Sequence, residues 1–312
     1  MTEKINITSQ ASDQLDRFGS AQTNYPSPIR TFWLSYSANR GAVFGLFFML
    51  LIIIAAIFAP LIAQNDPITQ FRGHILQPPS WEEGGSIKFL LGTDEVGRDI
   101  FSRIIYGGRL SLFIAVCSVF IAVIPGVILG LLAAFFPKYI GAAIMRIVDV
   151  MLSLPTLLLA VAIVAILGQG LINAMIAIAT ASLPAYVRLT RATAMTELNR
   201  DYVQAARVAG ANTLRLMFVT LLPNCLAPLI VQMTMGFSSA ILEIAALGFL
   251  GLGVKPPDPE WGTMLASARE YIERASWIVT FPGLTILFSV ISINLIGDGL
   301  RDALDPKLKQ AR

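Results

Sequence analysis

The feature that most constrains this chain is where charge is missing. Between Asp149 and Arg188 run 38 residues without Asp, Glu, Lys or Arg. As a single helix rising 1.5 Å per residue, that run measures roughly 57 Å, nearly twice the hydrocarbon core of a bilayer. The Gly168-Gln169-Gly170 triplet inside it is a chain-breaking signal, so the run reads as two spans joined by a tight turn. Four more uncharged stretches, 41–65, 110–137, 216–242 and 275–297, are each long enough to cross once. Charge at the bilayer centre is costly, which is why its absence marks these spans. The expected architecture is an all-α integral membrane protein with six transmembrane helices. Charged residues make up only 14% of the chain, against roughly 25% in an average soluble domain. That excludes a cytosolic enzyme and a disordered chain. The net charge of +3 is too small to indicate a nucleic-acid partner.

Six crossings place both termini on one side. Fifteen of the 23 Lys and Arg residues fall on the side of the N-terminus, so both termini are expected in the cytoplasm. The first span, 42–63, follows about 40 polar residues and is too long for the apolar region of a cleaved signal peptide. The segment before it, Ile29 to Arg40, sets Phe32, Trp33 and Tyr36 beside Arg30 and Arg40. This suits a helix lying at the membrane surface, and equally an ordinary juxtamembrane segment. The resulting division is 1–41 as a cytoplasmic segment with an interfacial helix and 42–109 as the first span with its external loop. Residues 110–300 form the main membrane domain, and 301–312 a cytoplasmic tail.

The chain offers little chemistry of its own. None of its six lysines follows a glycine, so there is no phosphate-cradling G-x-x-x-x-G-K-[ST] loop. Its single histidine, His74, and its two cysteines, Cys117 and Cys225 in apolar runs, offer no metal set, disulfide framework or nucleophilic triad. No catalytic residue, cofactor or metal is therefore expected here. The spans also lack the buried ionisable residues of an ion-coupled carrier. The most interior acid is Glu243, expected at the outer end of the fifth span. It reads either as a carboxylate lining a transport path or as a hydrogen-bonded helix-end residue. In the first external loop Asp94, Arg98 and Asp99, with Gly97 between them, are close enough to pair locally, or to contact a partner. Gly126, Gly130, Gly168 and Gly170 are small enough to let helices approach.

The cytoplasmic loop 188–215 has structure written into it. Asp201 to Gly210 (DYVQAARVAG) combines alanines, which favour helix, with a terminal glycine able to turn the chain. Pro223 then starts or kinks the fifth span. Gln204-Ala205-Ala206, three residues, Gly210, then Leu222-Pro223 resembles the EAA loop of bacterial ABC-importer permeases, with Gln204 in place of the pattern's Glu and Thr220 in place of its Ile. Gly92 to Leu112 (GTDEVGRDIFSRIIYGGRLSL), Phe249 to Leu265 (FLGLGVKPPDPEWGTML) and Gly297 to Lys309 (GDGLRDALDPKLK) also resemble the dipeptide/oligopeptide/nickel importer family.

That resemblance covers residue 30 to the end and is nearest to the dipeptide branch. It implies a type I ABC-importer permease fold in a bacterial inner membrane. It also implies a second homologous permease, two cytoplasmic ATPase subunits that bind ATP and Mg, and a periplasmic solute-binding protein. The cargo would be dipeptides, with oligopeptides, glutathione or nickel as alternatives. The residues it marks for ATPase coupling are Asp201, Gln204, Ala205, Ala206, Gly210, Leu222 and Pro223.

Overall fold

The computed structural model describes residues 27–304. Residues 1–26 and 305–312, which include Lys4, Arg17 and the end of the C-terminal motif, lie outside the described residues. The described chain is helical, with one isolated antiparallel bridge between Thr93 and Asp99. Ten helices organise it: α1 (Pro28–Ala38), α2 (Arg40–Ile57), α3 (Ile100–Phe135), α4 (Ala142–Leu152), α5 (Thr156–Leu167), α6 (Leu171–Glu197), α7 (Asp201–Val208), α8 (Leu222–Phe249), α9 (Trp261–Ala268) and α10 (Trp277–Leu304).

Five helical stretches are long and apolar enough to cross a membrane alone: α2, α3, α6, α10, and Thr213–Phe249, which contains α8. The sixth pass is made differently from the expectation. The uncharged run breaks twice, once at the glycine triplet and once at Ser153-Leu154-Pro155. At the latter point the chain bends by 94°, because proline disfavours helix in the residue before it. The twelve residues of α5 reach only about 18 Å, so α5 alone does not span. Packing shows that the pair nevertheless returns the chain. A Cβ on Gly126 would meet Tyr186 at 2.6 Å, and one on Gly130 would meet Thr190 at 2.5 Å. Residue numbers therefore rise together along α3 and α6, and the two helices run parallel. The segment between them must climb back to the end where α3 began. Gln169 accordingly shares a cleft with Gln70, Glu95 and Asp258 of the connections at that end.

Gly126 and Gly130 thus act as expected, allowing backbones to touch. Gly168 and Gly170 do not. Nothing lies within 4 Å of a Cβ added at either, and their φ values of +88° and +149° make them turn residues. The core lies among α3, α6, α8 and α10, with Ile114, Ile178, Ile241 and Ile293 buried in it.

Helix α1 stops at Asn39, whose side-chain oxygen caps α2 by accepting from Ala42 N at 3.2 Å. Its amide donates to Asp302 of α10 at 3.0 Å, and Tyr36 is buried beside Gly299. Ile29, Trp33 and Leu34 stay exposed. Both ends of the described chain therefore lie together. The second difference from expectation is at α3, which begins at Ile100, inside the segment assigned to the external loop. Its two arginines are accommodated by carbonyls: Arg103 donates to Pro67 O at 3.0 Å and Arg109 donates to Ala56 O and Ile57 O.

Candidate functional site

The loop between α6 and α8 projects from the end that also holds α1. Helix α7 opens without a side-chain cap, but Asp201 at its first position suits the positive end of the helix dipole. It closes on a Schellman turn. Gly210 N donates to Arg207 O at 3.1 Å and Ala211 N to Ala206 O at 3.0 Å, with Gly210 at φ +83°. That left-handed conformation, and not crowding, is what requires glycine, since the space around it is open. Asn212 then caps the next turn by accepting from Arg215 N at 2.9 Å.

Pro223 lacks an N–H, and a π-helical turn, Leu216–Leu221, sits directly before α8. Leu222 packs against the cluster formed by Leu131, Met217, Leu221 and Cys225, which joins the loop's end to α3 and α8. Val203 is the buried anchor of α7. Gln204 donates to Leu198 O at 3.3 Å. Tyr202 donates to Glu197 at 2.7 Å, and burial together with that carboxylate pushes its phenol up to about 12. Asp201, Ala205 and Gly210 face outward. Val208 is 89% exposed and Leu214 65%.

At the opposite end the charged loop is folded inward. Asp94 accepts from Val96 N at 3.0 Å and Arg98 N at 2.8 Å. Its second oxygen pairs with Arg98 Nε at 2.6 Å and stands 3.6 Å from Arg103 Nε. Arg98 also bonds Glu95 at 3.0 Å. Asp99 caps α3 through Ser102 and also accepts from Asn65. Gly97 has φ +81°, and a Cβ there would strike Phe71 O at 2.4 Å. All three charged residues are buried: Asp94 and Arg98 pair with each other, while Asp99 bonds Ser102 and Asn65 and its Oδ1 is buried without a partner.

Sequence reasoning missed Glu260. It caps α9 by accepting from Gly262 N at 2.7 Å and Thr263 N at 2.8 Å, and Ser111 reaches it at 3.3 Å. Burial pushes its carboxyl above the ordinary range, and the backbone donors pull it back. Next to it Trp261 lies against Gly107 and Gly108 and donates to Ile104 O at 2.9 Å. The signal was present in Pro259-Glu260-Trp261-Gly262-Thr263, an acid directly before a short helical segment.

Glu243 lies six residues inside the end of α8, deeper than its expected place at the mouth. The Thr156 hydroxyl of α5 approaches it, while Oε2 is buried without a partner. The structure does not join Glu243 to the loop: α7 and Glu243 belong to different halves of the bundle. Among the described residues no cluster of His, Cys, Asp or Glu is able to hold a metal.

The family model for the inner membrane component of binding-protein-dependent transport systems matches residues 126–310, more than half of the chain. The chain belongs to that family. The model for the N-terminal transmembrane domain of oligopeptide transport permease C matches residues 27–79. The permease is 70% identical over 287 residues to the di/tripeptide transport system permease protein DppC of Pseudomonas aeruginosa, covering 92% of this chain and 95% of that one. It is 56% identical over 284 residues to the dipeptide transport system permease protein DppC of Escherichia coli K12, covering 91% and 95%. Among solved structures it is similar to the methionine ABC transporter MetNI in inward-facing conformations. There the TM-score is 0.55 at 19% identity, over 65% of this chain and 96% of that one. That likeness shows the type I importer fold. The permease is thus a multi-pass protein of the bacterial inner membrane, from the ABC-importer class.

Proposed function

We propose that this permease forms, with a second homologous permease, the path by which an ATP-driven importer carries dipeptides or related small peptides into the cytoplasm. The termini and α7 face the cytoplasm. Two ATPase subunits bind ATP and Mg and dock on Asp201, Gln204, Ala205, Ala206 and Gly210. Leu222 and Pro223 pass the resulting motion to α8. A periplasmic solute-binding protein delivers cargo at the outer face, touching the surface that the Asp94–Asp99 loop supports. The permease itself catalyses nothing. Glu243 contributes a carboxylate to the path, suited to the protonated amino group of a peptide.

One observation carries this reading: α7 is a short, rigidly terminated helix, anchored by Val203, whose Ala205 and Val208 face outward at a point continuous with two spans. The peptide cargo is supported by the names of relatives that this chain matches over nearly its whole length.

The test is uptake of a radiolabelled dipeptide into proteoliposomes holding the complete transporter. ATP-dependent uptake requiring the binding protein is the expected result. Gly210→Val should strain the turn by about 1–2 kcal/mol and lower peptide carried per ATP hydrolysed. Transport at normal coupling removes the loop's role. Glu243→Gln should reduce uptake while ATP hydrolysis persists. Unchanged uptake and coupling remove Glu243 from the path.

A further inference from the structure

A groove of about 590 Å³ opens on the side of the bundle between α2, α3, α8 and α10. Met49, Ile53, Leu112, Val116, Phe237 and Ile296 form its walls. It has two polar side chains. Thr234 is satisfied within its own helix, donating to Val231 O at 2.7 Å. The other is Arg109, at the rim farthest from α7.

The groove has the proportions of one bilayer leaflet. From Arg109 to Val116 is seven residues, about 10 Å along the helix axis, and from Ile57 to Met49 is eight, about 12 Å. Half of a typical hydrocarbon core is about 15 Å. The groove therefore runs from the interface, where α2 ends at Ile57, towards the midplane. The Arg109 guanidinium is fixed at that interface. Its Nε donates to Ala56 O and its Nη2 to Ile57 O at 2.7 Å, and the Tyr106 ring lies 5.1 Å away. Its Nη1 makes no hydrogen bond among the described residues. Asp258 lines the adjoining cleft but forms no ion pair with it. An oriented cation above a leaflet-deep apolar slot complements one molecule: an amphiphile with an anionic head and a hydrocarbon tail.

We infer that this groove is a binding site for a single phospholipid of the leaflet facing away from α7, its phosphate on Arg109 and one acyl chain between α3 and α10. Burying the tail gains little, because the surrounding membrane is equally apolar. Residence is therefore set by the phosphate contact and by packing. A charge-assisted hydrogen bond is worth about 1.5–3 kcal/mol, so losing it should weaken retention by at least about tenfold.

The experiment uses the assembled transporter in nanodiscs of phosphatidylethanolamine and phosphatidylglycerol. A photoreactive benzoyl-phenylalanine replaces Phe113, whose exposed ring borders the groove. Irradiation should give a phospholipid adduct, identified by mass spectrometry. Arg109→Gln and Val116→Trp should each lower its yield about tenfold or more, and Arg109→Lys should restore most of it. Crosslinking to the second permease instead would overturn the inference. So would lipid adducts at equal yield in all variants, which indicate bulk membrane only. Where an arginine variant fails to assemble, the Val116→Trp comparison, which leaves Arg109 in place, carries the same decision.

Discussion

The two ends of the bundle are built on opposite plans. At the end away from α7, charged side chains are turned inward: Asp94, Arg98, Asp99, Arg103 and Glu260 are all buried, each bonded to backbone or to one another. At the other end, α7 is anchored by Val203 and leaves its remaining surface open. Both regions carry motifs that resemble the same family, yet they demand different things of their residues. The motif around Asp94 specifies a fold, since its charged side chains are held by partners that the chain itself supplies. The motif on α7 specifies a surface, since its small and apolar residues Ala205 and Val208 are exposed and only Val203 is buried. A motif is thus silent on whether its residues act or merely hold until burial is known.

The sharpest way to break this contrast is to attack the network around Asp94. Asp94→Ala would leave Arg98 with Glu95 alone and Arg103 with no carboxylate, in a site where their side chains are about a tenth exposed or less. Removing one partner of a buried ion pair costs about 3–5 kcal/mol. The expected result is a large fall in the melting temperature of the purified permease and poor recovery from membranes. A stable variant with selectively lost peptide uptake would instead make this loop a functional contact.

Glu260 gives a smaller effect with a definite sign. Its carboxyl is raised in the folded protein, so the folded state holds the proton more tightly than the unfolded state does. Stability is then greatest below the ordinary carboxylate range and declines as pH rises through the folded value. Glu260→Gln keeps an acceptor for the α9 amides and removes the titration. Melting temperatures from pH 4.5 to 8 should fall with pH in the parent and fall less in the variant. Parallel curves would show that the cap is electrostatically neutral. Glu260→Ala, which leaves both amides unpaired, should cost about 1–2 kcal/mol near pH 4.5 and less as pH rises.

Much of this arrangement is legible in the sequence because membranes impose a simple rule. Uncharged runs mark spans, and the glycine triplet at 168–170 marks a turn whatever surrounds it. The break at Pro155 is harder to read. A proline inside an apolar run is compatible with a continuous span, as Pro125, Pro184, Pro228 and Pro282 all show within helices here. Only the parallel packing of α3 on α6, set by Gly126 and Gly130, requires the chain to turn back where it does. The start of α3 was hidden for a related reason. Arg103 and Arg109 read as loop charges until their carbonyl partners, which lie far away in sequence, are in view.

The smallest expected effect on stability belongs to α7, and there it separates the two plans best. Val208 is 89% exposed, so Val208→Ser should change the stability of the permease by no more than about 0.5 kcal/mol. If an ATPase subunit covers this side chain, the same change removes about 1.5–3 kcal/mol of burial from the interface, or at least about tenfold in affinity. The measurement pairs a melting curve of the permease with the amount of ATPase that co-purifies in detergent. Unchanged melting with reduced ATPase retention would show a residue whose whole contribution lies in a partner, the reverse of Asp94. A lowered melting temperature with full retention would make α7 a second structural knot and erase the difference between the two ends.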